Sequence, residues 1–257
     1  MRYTALVLAL VPCALFGDET PEVGQAEKLF RKLEERLAKA KTIQLKYKAA
    51  LEPKDAKPGE KDKAPRVEGL LLLQKGNKLR LQMDGRVLPL HEPHNAVVVS
   101  DGKTMRAAGL AGPIPLEGGK RRVEKAPANL HSAFVGSLTR EGLLLFVMTH
   151  VAGGTLAENL RDDLDKKQPS PTGFKMRGRE KVGGVLTQAI EFRIKISGGR
   201  GEELPVTLWL DAKTALPVKR IVRYEAGGKV VGTLAETYEA FRLDGVIDPG
   251  QFRTGEK

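Results

Sequence analysis

His91-Glu92-Pro93-His94 is the only cluster in the chain whose residue types and spacing suggest a metal, because two imidazoles three positions apart form part of a zinc set. Pro93 forbids the helix on which a zinc protease mounts such a pair, and no third ligand is in view. A structural or solvent-facing role is expected for both histidines. His131 and His150 sit among helical apolar residues and read as helix-surface or core-edge groups. Paired carboxylates can do acid–base work, but Asp162-Asp163 falls on a charged helix face and Glu202-Glu203 beside a hairpin, where solvation is the simpler role. Nucleophile-elbow, P-loop and dinucleotide fingerprints are all missing. Cys13 is the single cysteine and lies in an N-terminal run expected to be removed, which excludes disulfides and thiol chemistry from the mature protein. Its lipidation is disfavoured by Pro12 directly before it. The expectation is a protein with no catalytic residue, no metal and no cofactor: not an enzyme.

With chemistry set aside, the elements themselves carry the reading. From Phe174 to Phe241 the chain is a run of strands joined by tight turns at Gly183-Gly184, Gly198–Gly201, Asp211–Thr214 and Gly227-Gly228. Glycine pairs supply the positive φ that short hairpins need. Ile190, Phe192, Ile194 and Ile196 share one face, and Glu191, Arg193 and Lys195 the other. Such a meander is apolar on one side and must lay that side on something.

Earlier in the chain, Gln25–Lys41 has the three-four spacing of an amphipathic helix through Ala26, Leu29, Phe30, Leu33, Leu37 and Ala40. Thr42–Leu51 alternates as a strand, and Pro53–Arg66, rich in lysine and proline, reads as a mobile loop. Val67–Gln74 is a strand whose Leu70–Leu73 run predicts burial on both faces. It turns at Gly76-Asn77 into Lys78–Met83, and Asn95–Ser100 pairs with Lys103–Ala107 about Asp101-Gly102. Gly109–Pro127 reads as loop. Helical periodicity then appears over Ala128–Leu138, Thr139–His150 and Leu156–Lys167. The pattern predicts an α+β chain, mainly antiparallel β, of ten or eleven strands in two halves with the helices on one face of a curved sheet.

Residues 1–17 resemble a secretory signal: Arg2, then an apolar run from Ala5 to Phe16 too short to span a bilayer, then polar Asp18-Glu19-Thr20. Residues 18–257 are expected to form one domain. The formal charge of +11 favours acidic partners. Nucleic acid is the weakest of them, because the basic residues are scattered and aromatic content is 5%.

Val97-Val98-Val99-Ser100-Asp101-Gly102-Lys103-Thr104-Met105 resembles a hairpin of the periplasmic outer-membrane lipoprotein carriers, the LolA-like family. The ending, Tyr238-x-x-Phe241 with Val246-Ile247-Asp248 and Phe252, is similar to that family's close, and the order of parts is the same. The resemblance implies an unclosed half β-barrel with helices as a lid over an apolar cavity that receives acyl chains. It implies a periplasmic carrier that shields a lipid or lipoprotein between membranes, working as a monomer with membrane-anchored donor and acceptor proteins. One acyl chain of about fifteen methylenes represents on the order of 12 kcal/mol at ~0.8 kcal/mol each, nearly all of which the protein must hide from water.

Leu79, Leu81, Met83, Ile190, Phe192, Ile194, Leu208 and Leu210 are the candidates for the sheet lining, with Phe134, Leu138, Leu143 and Phe146 for the lid. The chain departs from the family in two places. Gly76-Asn77 stands where the family has an Arg-Pro that latches the lid, leaving Arg80 as the substitute to examine, and Arg106 stands near the place of a common aromatic. A binding or sensor module of the same fold, similar to anti-sigma regulators and acting through protein contacts, is the alternative.

Overall fold

The computed structural model describes residues 21–54, 64–86, 94–108, 122–147, 170–195 and 203–253. The signal-like run, His91, His150, Glu202, the centre of the 53–66 loop and the 156–167 segment with Asp162-Asp163 lie outside these residues.

Every segment of period two forms a strand. The first half holds β1 (Thr42–Pro53), β2 (Arg66–Gln74), β3 (Lys78–Arg86), β4 (His94–Asp101), β5 (Thr104–Ala108) and β6 (Arg122–Lys125). The second holds β7 (Thr172–Val182), β8 (Val185–Lys195), β9 (Glu203–Asp211), β10 (Pro217–Ala226) and β11 (Lys229–Leu243). They form one antiparallel sheet in the order β6-β5-β4-β3-β2-β1-β11-β10-β9-β8-β7, an unclosed half-barrel with β6 and β7 as its edges. The single junction between strands distant in sequence is β1 with β11, where Tyr47 faces Tyr238 and Ala49 faces Glu236.

The 109–127 stretch is not all loop, because β6 pairs with β5 from Thr104↔Lys125 to Ala107↔Arg122. This short edge strand lacks apolar alternation and owes its form to ladder bonds offered by its neighbour.

Helix α1 (Pro21–Lys39) buries Ala26, Phe30, Leu33 and Leu37 as its spacing requires. Phe30 meets Phe174 of β7 and Phe192 of β8 at ring centroid distances of 5.2 and 4.9 Å. Helix α2 (Leu130–Thr139) is followed by one further turn, α3 (Leu143–Phe146). The continuous helix expected over Thr139–His150 is therefore broken near its start. Gly142 at φ 93° makes the break, a backbone state that suits glycine, and a Cβ there would lie 2.5 Å from a Glu236 carboxylate oxygen.

Leu71, Leu72 and Leu73 of β2 are buried on alternate faces as their pattern predicts, and Leu70 is half-buried. Leu71 and Leu73 face the helices, while Leu72 is covered on the outer face by Ile247 and Phe252 around the terminal 3-10 turn Pro249–Phe252. Arg80 lies on that outer side and donates to the Gln251 carbonyl at 3.3 Å, so it takes no part in holding α2.

Candidate functional site

All twelve lining candidates are buried and belong to one apolar cluster. Register explains the grouping on the second half of the sheet: Ile190 faces Leu208, Phe192 faces Val206 and Ile194 faces Leu204 across β8 and β9. On the first half, Leu81 of β3 faces Leu71 of β2 and Val98 of β4. Phe134 of α2 meets Phe146 of α3 at a tilt of 58° with centroids 4.8 Å apart, so the helices add their own aromatic pair to the cluster. The α2–α3 candidates therefore pack in the same buried cluster as the sheet candidates.

The alternation of the last two strands also brings two charges onto this face. Arg220 lies in phase with Val222 on β10, and Glu236 lies between Leu234 and Tyr238 in the inward phase of β11. The two are direct cross-strand partners, and both are fully buried. Arg220 Nη1 stands 3.8 Å from Glu236 Oε2.

Their hydrogen bonds run to the backbone of α2 and α3. Arg220 Nη1 donates to the Ser137 carbonyl at 3.2 Å, and Nη2 donates to the Leu138 carbonyl, both at the end of α2. Glu236 accepts from Leu143 N at 3.2 Å and Leu144 N at 2.6 Å, the first amides of α3. The Tyr238 hydroxyl donates to the same carboxylate. Helix ends leave carbonyls and amides without intrahelical partners, and a cation at the carbonyl end with an anion at the amide end matches their polarity. One buried ion pair thus satisfies both sides of the α2–α3 break.

Tyrosines surround this pair and remain protonated. Burial pushes the Tyr238 phenol well above its ordinary value despite nearby Arg220, and burial with the Glu236 charge pushes up Tyr47 and takes Tyr224 to about 12. They serve as hydrogen-bond donors and apolar surface, not as bases near neutral pH.

A second, partly exposed contact ties the two helices. Arg140, just past α2, donates through Nε and Nη2 to Glu34 Oε1 of α1, each at 3.1 Å, and Glu34 also takes Arg31 at 2.8 Å.

Among the described residues no group of three or more His, Cys, Asp or Glu is placed to hold a metal ion. His131 is half-buried on α2, His94 opens β4, and Glu203 pairs on the surface with Arg193 and Lys195. A groove of about 700 Å³ beside Lys48, Glu68 and Asp84 is open, charged and on the outer side of the sheet.

No protein-family model matches the chain, and no curated protein matches its sequence. Solved structures similar to it include LprF from Mycobacterium bovis, with 14% identity over 86% of this chain and 94% of that one and a TM-score of 0.45. The lipoprotein LppX of Mycobacterium tuberculosis has 10% identity, 86% and 98% coverage and a TM-score of 0.41. A LolA superfamily protein from Nitrosomonas europaea has 10% identity, 89% and 97% coverage and a TM-score of 0.31. At this degree of superposition, the functional reading rests on the geometry of the chain itself.

Proposed function

We propose that this protein is a carrier that hides the acyl chains of a lipid or lipoprotein between the concave sheet and the α2–α3 lid, acting in the periplasm. The signal-like run at residues 1–17 supports export.

The observation that carries the reading is the way the lid is held. Taking two charges out of water costs several kcal/mol per ion before their attraction returns any of it, and well-packed apolar residues hold helices at least as well. A buried pair whose backbone bonds meet at the α2–α3 break suits a cover with a defined closed position and a fixed pivot. Beyond that pivot the lid touches the sheet through apolar side chains such as Phe134 and Phe146, which an acyl chain can replace one for one. The closed arrangement is then the empty state, and loading moves α2 and α3 outward.

Native mass spectrometry of protein taken from a periplasmic extract, together with displacement of a fluorescent fatty acid, tests this. The expected result is a bound acyl mass that the probe competes away. A clean apo mass with no probe binding contradicts it, and an apo protein that retains a membrane-anchored partner favours the sensor reading.

A further inference from the structure

We propose that the turn-bearing edge of the sheet, the one carrying the β7–β8 hairpin, docks on an anionic lipid bilayer, with Val185 and Leu186 entering the headgroup layer. The inference does not require the hollow to hold lipid.

Antiparallel order sends alternate turns to the same edge. The β7–β8, β9–β10, β2–β3 and β4–β5 turns therefore share one rim with the start of β1 and the end of β11. Hydrogen bonds link neighbours along it. Ala212 N donates to Leu186 O at 2.9 Å, joining the first two turns, and Arg36 of α1 donates to the Thr214 carbonyl. Lys41 N donates to Asp244 at 2.6 Å, Lys75 N donates to Lys41 O at 3.0 Å, and Ser100 Oγ donates to Asn77 O at 2.7 Å. The rim is one continuous arc.

Lys39, Lys41, Lys75, Lys103, Lys181 and Lys213 stand exposed along that arc. Its carboxylates are engaged close by. Asp101 accepts from Lys103 N and Thr104 N, Asp211 from Lys213 N and Thr214 N, and Asp244 from Lys41 N, while Glu35 pairs with Lys39. With Arg36 and Lys125, eight cationic side chains stand at the level of five carboxylates, the fifth being Glu180, which accepts from Trp209 Nε1. Turns two strands apart are separated by roughly 10 Å, about a Debye length at physiological salt, so their potentials add.

Among the described residues, three of the four exposed large hydrophobic side chains lie on the same rim: Val185 at 36%, Leu186 at 48% and Val246 at 97% exposure. Cations strung along a line of turns, with apolar side chains at the same level, suit a broad anionic surface better than the pocket of an acidic peptide. A juxtamembrane lysine changes partition to such a surface by about fivefold.

The test is co-sedimentation of the mature chain with phosphatidylglycerol–phosphatidylcholine vesicles and with pure phosphatidylcholine vesicles. Wild type is expected to pellet with the anionic vesicles alone and to be released by high salt. K75E/K103E/K181E/K213E is expected to lose at least a hundredfold in partition, while K28E/K46E/K175E/K229E, with the same charge change away from the rim, keeps more. V185S/L186S, which leaves the charge unchanged, is expected to lose several-fold. All the altered side chains are solvent-facing, so unchanged circular dichroism establishes that folding is intact. Failure of wild type to pellet overturns the proposal, as do equal losses in the two charge variants. Undiminished binding of V185S/L186S overturns entry into the headgroup layer.

Discussion

The two halves of the sheet meet the helices by different means. The second half, β7–β11, holds α2 and α3 through Arg220 and Glu236, charges placed among Leu208, Val222 and Leu234 and bonded to the backbone of the two helices. The first half, β1–β6, offers α2 an apolar face of Leu71, Leu73, Leu79, Leu81 and Met83. Directional bonds fix where a helix sits, whereas apolar contact is indifferent to which apolar group supplies it. Under the carrier function proposed above, this difference would make the second half the pivot of a lid and the first half the seam along which an acyl chain enters.

Breaking the pivot has the largest expected effect. Arg220→Met leaves the Glu236 carboxylate buried without its cation and is expected to lower stability by about 3–5 kcal/mol in urea unfolding. Arg220→Met with Glu236→Gln removes both charges and recovers much of that loss. If the single change costs no more than an exposed ion pair, the halves do not differ as described.

The seam is probed by removing volume. Phe134→Ala is expected to cost about 3–5 kcal/mol and Leu81→Ala about 2–5 kcal/mol. A bound fatty acid is expected to restore part of each loss, read as a larger ligand-induced rise in Tm than in the wild type. Equal ligand shifts in all three proteins would remove the seam from the picture.

The partly exposed Arg140–Glu34 contact is a secondary tie. Arg140→Ala is expected to cost no more than about 1 kcal/mol, because solvent screens it. A loss as large as that of Arg220→Met would put the pivot in the wrong place.

The smallest effect is a pH dependence on the first-half side. Burial and the charge of Lys75 hold the His131 imidazole below its ordinary 6.5, against a hydrogen bond to the Ala40 backbone that raises it. The unfolded chain therefore takes up a proton near pH 6.5 that the folded chain refuses. The stability is complete above that pH and declines as pH falls below it. His131→Gln is expected to flatten the decline in Tm between pH 7 and 5, and an unchanged slope would assign the decline to other groups.

Much of this fold was legible in the sequence because its turns are local. Gly183-Gly184, Asp101-Gly102 and Gly227-Gly228 mark hairpins without reference to anything distant, and two-residue alternation then sorts the side chains by face. That logic put Leu79, Ile190 and Leu208 on one side, where they are found together. Closure of β1 on β11 was not legible, since no local pattern pairs Tyr47 with Tyr238. The short β6 was missed because an edge strand takes its form from its neighbour. Arg220 and Glu236 left a signal that went unread: Leu234-x-Glu236-x-Tyr238 puts a carboxylate in the apolar phase of its strand, and a charge there needs a buried partner.

Hydrogen exchange at the amides of Leu143 and Leu144, with and without a bound fatty acid, tests the central claim most directly. Both amides donate to Glu236 in the closed arrangement. Loading is predicted to deprotect them while the β8–β9 ladder amides keep their protection. If the ligand binds and these two amides stay as protected as before, the lid does not move and the account fails.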